Sequence, residues 1–263
     1  MRTFVKYLTM ATATMVGLGM AGAAHAGPTI LINDSNGGLV SYDTATRTRT
    51  VLGECGPTMY DIALNTGGDL FGVDGGTLFS VSTSNGAATM RGSLGAFING
   101  LVFGPDGTLY GSGGSNLYKI NTNSGQASLI GSMGATQSAG DLAFFKGQLY
   151  LASNLGLAIV NPLTGASQLI GGMANIFGLA STADTLFGVK DNAIYTIDPT
   201  TGLGAKLSSY TNGSAYGAAS VPVAASSPRA VPEPTTWAML LLGLTLVGHA
   251  RRRRSKDAPS ASA

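Results

Sequence analysis

The chain has 263 residues, of which 39 are glycine and only 11% are charged. This composition lacks the Lys and Glu that cover exposed helices, so it argues against a helical protein. Residues 27–223 carry seven Lys or Arg against eleven Asp or Glu, a net charge of −4. Such a body offers no basic patch to neutralise phosphates, and we expect no nucleic-acid partner.

Residues 1–26 have the pattern of a signal peptide. MRTFVK is a short positive segment, and an apolar stretch rich in Ala, Met, Gly and Thr follows it. Ala24 and Ala26 then form the small-x-small site that signal peptidase prefers. We therefore predict export across the inner membrane with cleavage after Ala26, the alternative being a retained N-terminal membrane helix.

Residues 27–223 repeat themselves, and the repeat predicts an all-β domain. The units are LVSYDTATRTRTVLG at 39, LFSVSTSNGAATMRG at 78, LYKINTNSGQASLIG at 117, LAIVNPLTGASQLIG at 157 and IYTIDPTTGLGAKLS at 194. Their segments are short, apolar and bounded by turn residues, which is typical of strands. Four strands in about 39 residues, repeated, indicate the blade of a β-propeller.

The order of the segments predicts how the ring closes. Four units are preceded by an inner-strand segment, namely YDIAL, NGLVF, GDLAF or FGLAS, whereas the fifth copy, YGAAS, occurs only at 216–220. We expect this C-terminal strand to complete the first blade and close a propeller of about five four-stranded blades. An open β-solenoid and a six-bladed ring are the alternatives.

The outer segment of each unit contains a residue that can cap a turn. These residues are Asp43, Ser82, Asn121, Asn161 and Asp198. Their side chains can accept hydrogen bonds from the backbone two or three residues on, so we predict a tight turn at each.

The residue inventory of the body argues against common enzyme chemistry. The only histidines, His25 and His249, lie outside residues 27–223. The usual Ser/His/Asp and Cys/His nucleophile systems therefore have no imidazole there, and we predict a protein that is not an enzyme. Cys55 is the only cysteine and cannot form an internal disulfide, which favours a buried or tolerated thiol.

One pair of carboxylates is a candidate metal site. Asp61 and Asp141 occupy the second position of their inner-strand segments, where the other copies have Gly100, Gly178 and Gly217. Two carboxylates on one rim of the channel could hold a Ca²⁺, which makes a Ca-dependent, lactonase-like hydrolase an alternative function. The structural alternative is that Asp and Gly are ordinary turn residues at the start of a strand.

Four aromatic residues lie close to the starts of the inner strands. They are Tyr60, Phe97, Phe177 and Tyr216. They could form the floor of a sugar-binding pocket, or they could pack between blades as part of the core.

The C-terminal region predicts a membrane segment. Residues 224–230, AASSPRA, have the composition of a flexible linker. Within residues 231–254, VPEPTTWAMLLLGLTLVGHARRRR, sixteen residues from Thr235 to Ala250 carry no formal charge. At ~1.5 Å per residue they make about 24 Å of helix, enough for a thin bilayer. Arginines directly after such a run stay cytoplasmic, so we predict a single transmembrane helix followed by a disordered cytoplasmic tail, residues 255–263.

This order of parts resembles the PEP-CTERM sorting signal. The resemblance implies recognition by an exosortase at Pro232, Glu233 and Pro234, with Arg251, Arg252, Arg253 and Arg254 as a cytoplasmic retention cluster. It also implies transient anchoring in the inner membrane, then a cell-surface or extracellular location, in association with exopolysaccharide and biofilm. An ordinary single-pass anchor is the alternative.

We expect, on this basis, a non-catalytic propeller scaffold without a cofactor that interacts with polysaccharide or another surface protein. A purely structural matrix component is a further alternative.

Overall fold

The computed structural model of the protein describes residues 28–211 and 213–220, and this part of the chain is all-β. In chain order, β1 to β20 are Thr29–Asp34, Gly38–Asp43, Arg49–Glu54, Asp61–Leu64, Leu70–Val73, Thr77–Val81, Ala88–Ser93, Gly100–Phe103, Leu109–Gly113, Asn116–Ile120, Ala127–Ser132, Ser138–Phe145, Gln148–Ser153, Gly156–Val160, Ser167–Gly171, Gly178–Ser181, Leu186–Lys190, Ala193–Ile197, Gly204–Ser209 and Ala215–Ala219. None of the elements described is a helix able to cross a membrane.

Several predicted segments fall elsewhere in the chain. The signal peptide (1–26), the linker (224–230), the transmembrane helix with the sorting signal (231–254) and the tail (255–263) lie outside the described residues.

The strands form five antiparallel sheets of four. Blades 2 to 5 take consecutive strands, β4–β7, β8–β11, β12–β15 and β16–β19, whereas blade 1 has the order β20-β1-β2-β3. In blade 1, Gly217 and Ala219 of β20 pair with Asn33 and Leu31 of β1. The prediction of five four-stranded blades closed by the C-terminal strand is therefore confirmed, and the solenoid and six-bladed alternatives are wrong.

The inner strands β4, β8, β12, β16 and β20 form a continuous ring. Each contacts the next, and β20 contacts β4, so the ring has no open end. Both faces of the inner strands are buried between neighbouring blades, whereas the outer strands β3, β7, β11, β15 and β19 each have exposed positions. This double-sided burial explains why the inner segments lack a polar/apolar alternation.

The predicted caps of the outer turns are all present. The oxygen of each capping side chain accepts a backbone N–H two or three residues on, at Asp43, Ser82, Asn121, Asn161 and Asp198. In blades 2 to 5 the turn continues through a glycine with positive φ, whereas blade 1 has Arg47 there, with φ of 59°.

At four of the five interfaces between blades, glycine allows two backbones to touch. Gly53, Gly92 and Gly131, at the ends of the outer strands of blades 1 to 3, lie against the outer turn of the next blade. A Cβ there would overlap the carbonyl oxygen of Asn85, Ser124 or Thr164 respectively. In blade 4 the approach is made one residue later in the chain: a Cβ at Gly172 would overlap the carbonyl group of Gly202 at the interface of blades 4 and 5. We call these four the glycine interfaces.

The fifth interface, between blades 5 and 1, has different residues at the same positions. Ser208 stands at the position of the outer-strand glycine, and Arg47 stands at the position of the outer-turn glycine. The Ser208 hydroxyl makes a 2.8 Å hydrogen bond with the hydroxyl of Tyr42. The buried Tyr210 donates its hydroxyl to Asp34 over 2.9 Å, and the Arg49 guanidinium lies 5.1 Å from the Tyr210 ring centre. We call this contact the closing seam.

Candidate ligand site at the mouth of the central channel

Two aspartates fill the centre of the ring. Asp61 in blade 2 and Asp141 in blade 4 are both 0% exposed, and their carboxyl groups hydrogen-bond to each other. We call them the central carboxyl pair. The structure thus confirms that these two sequence-predicted residues come together, on the inner strands that line the channel.

The pair accepts hydrogen bonds from one backbone amide of every blade. Asp61 accepts from the N–H of Ile62 at 2.8 Å and of Leu101 at 2.5 Å. Asp141 accepts from Leu142 at 2.5 Å, from Leu179, and from Ala218 at 3.3 Å. The inner strands have no further strand on the channel side, so their amides need these acceptors.

The glycines at the equivalent positions make room for the pair. A Cβ at Gly217 would overlap Oδ1 of Asp61, and a Cβ at Gly100 would lie 3.1 Å from Cα of Asp141. Two side chains therefore occupy a space that five could not share. The alternation of Asp and Gly reflects packing at the channel axis, where both aspartates have a structural role as acceptors of backbone hydrogen bonds.

Burial raises the pKa of both carboxyls well above the usual aspartate value, and for Asp61 the neighbouring charge of Asp141 adds to the effect. Two carboxylates in contact cannot both be ionised without strong repulsion. One proton shared between them removes that repulsion and supplies the hydrogen bond that joins them. The five amides then stabilise the remaining negative charge.

The Ca²⁺ site at Asp61 and Asp141 stays a prediction. Ca²⁺ is bound by six to eight oxygens. The groups around the pair are N–H donors, whose positive ends favour an anion. Among the described residues no group of three or more His, Cys, Asp or Glu side chains could hold a metal ion.

On the far side of the pair the channel is almost filled. The cavity between the inner strands there has about 20 Å³ of free volume, room for a single water. Its lining includes Leu64, Phe103, Ser181 and Ser220, at or just beyond the ends of the inner strands. A ligand therefore has no route through the propeller.

The near side is open and holds a larger cavity. Its volume is about 210 Å³, and it is lined by Tyr60, Phe97, Asn99, Ala139, Gly140, Phe177 and Tyr216. We call it the aromatic cup. All four aromatic residues singled out from the sequence line this one site, at the starts of the inner strands.

The rings of the cup are accessible, unlike core residues. Phe97 is 58% exposed and Tyr60 is 46% exposed, and the two rings pack edge to face with centres 5.8 Å apart. The sequence left open whether this aromatic set packs between blades. Exposure of this size at Tyr60 and Phe97 leaves their faces free for a ligand.

Asn99 supplies a polar group that sequence analysis did not select, because asparagine is common in turns. Its Nδ2 donates to the carbonyl of Ser138 at 3.3 Å. Its Oδ1 is buried and has no hydrogen-bond partner. Asn99 is part of the lining of the cup, and an unpaired buried acceptor is costly, so this amide is a polar group of the site that still lacks a donor.

Cys55 behaves as the sequence suggested. The side chain is buried, and burial, with a further contribution from Asp34, raises the pKa of the thiol to about 11. The thiol is therefore protonated at neutral pH and is a poor nucleophile.

These features define a class of protein: a closed five-bladed propeller with a plugged channel and one open aromatic cup. The PEP-CTERM protein-sorting motif family matches residues 230–254 of the same chain. The predicted sorting signal is thereby confirmed, and it implies export, transient membrane anchoring and processing by an exosortase. The residues of that motif, Pro232, Glu233, Pro234 and Arg251 to Arg254, lie outside the described part of the chain, as do Ala24 and Ala26.

Comparisons of the whole chain show the fold alone. One similar solved structure is a symmetrical protein whose de novo evolutionary emergence is described as shaped by folding constraints. It is 22% identical with a TM-score of 0.51, and the match covers 74% of this chain and 99% of that one. A chain of a nidogen/laminin complex is 12% identical with a TM-score of 0.51, over 73% and 98%. No curated protein matches the chain.

Proposed function

We propose that the protein is a surface or extracellular-matrix protein whose propeller is a non-catalytic scaffold that binds polysaccharide or another protein in an exopolysaccharide context. The observation that carries the proposal is that one chain combines the sorting motif at 230–254 with an open aromatic cup on a closed propeller. The closing strand β20 begins at the cup, where Tyr216 is part of the lining, and ends at Ala219 on the opposite face. The motif at 230–254 follows this strand.

The described part of the chain ends on the face of the propeller opposite the cup. The polypeptide that leads to the motif leaves from the face of the propeller that bears the 20 Å³ cavity, since Ser220 lines that cavity. The N-terminal strand β1 is antiparallel to β20, so the mature N-terminus starts at the same face. The described ends of the chain therefore lie away from the aromatic cup and leave it open to a ligand, which supports a binding role.

The proposal is tested by the intact mass of the protein in membrane, surface and medium fractions of the producing cells. We expect a species that begins at Gly27 and ends near Glu233, with or without added sugar mass. Glu233→Ala should leave uncut protein in the membrane fraction, whereas Pro228→Ala, a proline outside the Pro-Glu-Pro, should be processed normally. If every fraction contains only protein that retains Arg251 to Arg254, the tail is a plain anchor and the proposal is wrong.

The alternative function, a Ca-dependent hydrolase, can be distinguished from this proposal by its need for Ca²⁺. It requires Ca²⁺ at the central carboxyl pair, so it predicts a melting temperature that rises with Ca²⁺ and that loses this response in Asp61→Asn. Our proposal expects equal melting temperatures in Ca²⁺ and in chelator, because the pair is satisfied by a proton and five amides.

A further inference from the structure

We propose that the aromatic cup is a carbohydrate site that holds one uncharged pyranose ring of a polysaccharide, stacked on the aromatic side chains and hydrogen-bonded to Oδ1 of Asn99. The inference rests on the proposed function, and it names the ligand class and the residues that select it.

The size of the cup fits one ring. Its volume of about 210 Å³ lies below the ~300 Å³ at which pockets for drug-sized ligands begin. Tyr60 and Phe97 also form the wall of a second, more open depression of about 460 Å³, which contains Asp74 and Ser93. A chain of sugars therefore places one ring in the cup and passes over the edge-to-face pair into the neighbouring depression.

The electrostatics of the cup favour a neutral ligand. No charged side chain is among the residues that line it. The central carboxyl pair is fully buried, and Asp74 in the neighbouring depression accepts the N–H groups of Gly76 and Thr77. An anionic sugar would find no Lys or Arg to replace its hydration, and a cationic side chain would find no carboxylate.

The combination of groups matches the two kinds of surface on a sugar ring. The apolar C–H face of a pyranose packs on an aromatic ring, and its hydroxyls donate hydrogen bonds to acceptors such as an amide oxygen. Asn99 offers such an acceptor without a partner. An aliphatic side chain from a protein partner would cover the rings but would bring no donor for this oxygen, so it would forgo the hydrogen bond that a sugar hydroxyl supplies.

Binding is tested with the full chain in a detergent that has no sugar headgroup. The probes are cellohexaose, laminarihexaose and maltohexaose, with a hexamer of galacturonic acid as the charged comparison, measured by calorimetry and saturation-transfer NMR. We expect at least one neutral hexasaccharide to bind and to bind more tightly than the acidic one. Phe97→Ala should weaken that binding at least tenfold and Asn99→Ala about fivefold.

The control variant is Leu163→Ala, which removes a side chain that is 83% exposed in an outer turn of blade 4. It should bind as the unaltered protein does, and both Phe97→Ala and Leu163→Ala should melt within a few degrees of the unaltered protein, because neither side chain is buried. Two results would overturn the proposal: no neutral hexasaccharide binds the folded chain, or Phe97→Ala binds as tightly as Leu163→Ala. Neither result depends on tail processing, so this test and the mass measurement fail independently.

Discussion

The four glycine interfaces and the closing seam solve the same packing problem in different ways. At the glycine interfaces the backbone of one blade touches the outer turn of the next, and glycine is required because no Cβ fits. At the closing seam, Ser208 and Arg47 stand in place of the glycines, and side chains fill the gap. There the Tyr42–Ser208 and Tyr210–Asp34 hydrogen bonds join the blades.

The difference follows from how the blades are connected. At the four glycine interfaces the two blades follow each other in the sequence, from blade 1 to blade 5, so one repeated unit can specify each of these contacts. The closing seam joins residues far apart in the chain, such as Tyr42 and Ser208. Directional hydrogen bonds between side chains specify one register where a plain apolar contact allows several.

The largest effect is expected from closing a glycine interface to a side chain. In Gly131→Ala the new Cβ overlaps the carbonyl oxygen of Thr164, a backbone atom that moves only if the blade moves. We expect unfolding free energy to fall by about 3 kcal/mol in urea titrations. The matched control is Ser208→Ala, the equivalent position of the closing seam, where the loss of one hydrogen bond should cost about 1 kcal/mol. Equal losses would show that the two kinds of interface do not differ.

A second variant tests whether the central carboxyl pair stabilises the ring of five blades. In Asp61→Asn the carboxamide has one acceptor oxygen, so one of the N–H groups of Ile62 and Leu101 loses its partner. We expect a loss of about 2 kcal/mol near pH 5, from the cost of a buried unsatisfied amide.

The pH dependence of stability gives this variant a signature of its own. The pKa of each carboxyl of the pair is raised in the folded state, so the folded protein holds a proton that the unfolded chain releases. Stability should therefore decline as pH rises above the ordinary aspartate value, and Asp61→Asn should flatten this decline. Asp106→Asn is the control, because the pKa of Asp106 is shifted in the opposite direction. The Thr108 N–H lowers the pKa of that carboxyl, so the stability that Asp106 contributes is lost only as pH falls. If the stability of Asp61→Asn still declines as pH rises, the shared proton is contradicted.

A smaller effect is expected at the closing seam itself. Tyr210→Phe removes the hydroxyl that donates to the buried Asp34, and hydrogen bonds to charged groups contribute about 1.5–3 kcal/mol. We expect a loss near the lower end, since Asp34 keeps the N–H groups of Asn36 and Gly38. Tyr150→Phe removes a half-buried hydroxyl bonded to Gln148 within blade 4 and should cost less than about 1 kcal/mol. If the two variants lose the same stability, the seam does not depend on its side-chain hydrogen bonds.

The smallest effect is a gain. Arg47 holds a positive φ of 59° at the turn position where the other four blades have glycine. Arg47→Gly should therefore raise the unfolding free energy by up to about 1 kcal/mol, because the left-handed conformation costs a side chain about that much. The reverse change, Gly165→Ala at the same position of blade 4, should destabilise, since the new Cβ meets Gly131. A destabilised Arg47→Gly would mean that the arginine side chain itself supports the seam.

The sequence was sufficient to predict the blades, their number and the closing strand, because the repeat and the displaced YGAAS copy are local patterns. It also placed Asp61, Asp141 and the four cup aromatics at the starts of inner strands. It could not show that the carboxyls meet on the channel axis or that they accept one amide from each blade, since this depends on the ring geometry. Nor could it distinguish Asn99 from other turn asparagines, because its unpaired oxygen results from tertiary packing.

The position of β20 has a consequence for the timing of folding during export. It is the last of the described strands in chain order, and it pairs with β1, more than 180 residues earlier. Contacts of such long sequence separation form slowly, and the ring cannot close before β20 is available. Only residues 220–229 separate β20 from the sorting motif, and ten residues span at most about 35 Å. The strand that closes the ring and the sorting motif therefore become available within a few residues of each other, so closure of the propeller and recognition of the tail depend on the same last part of the chain.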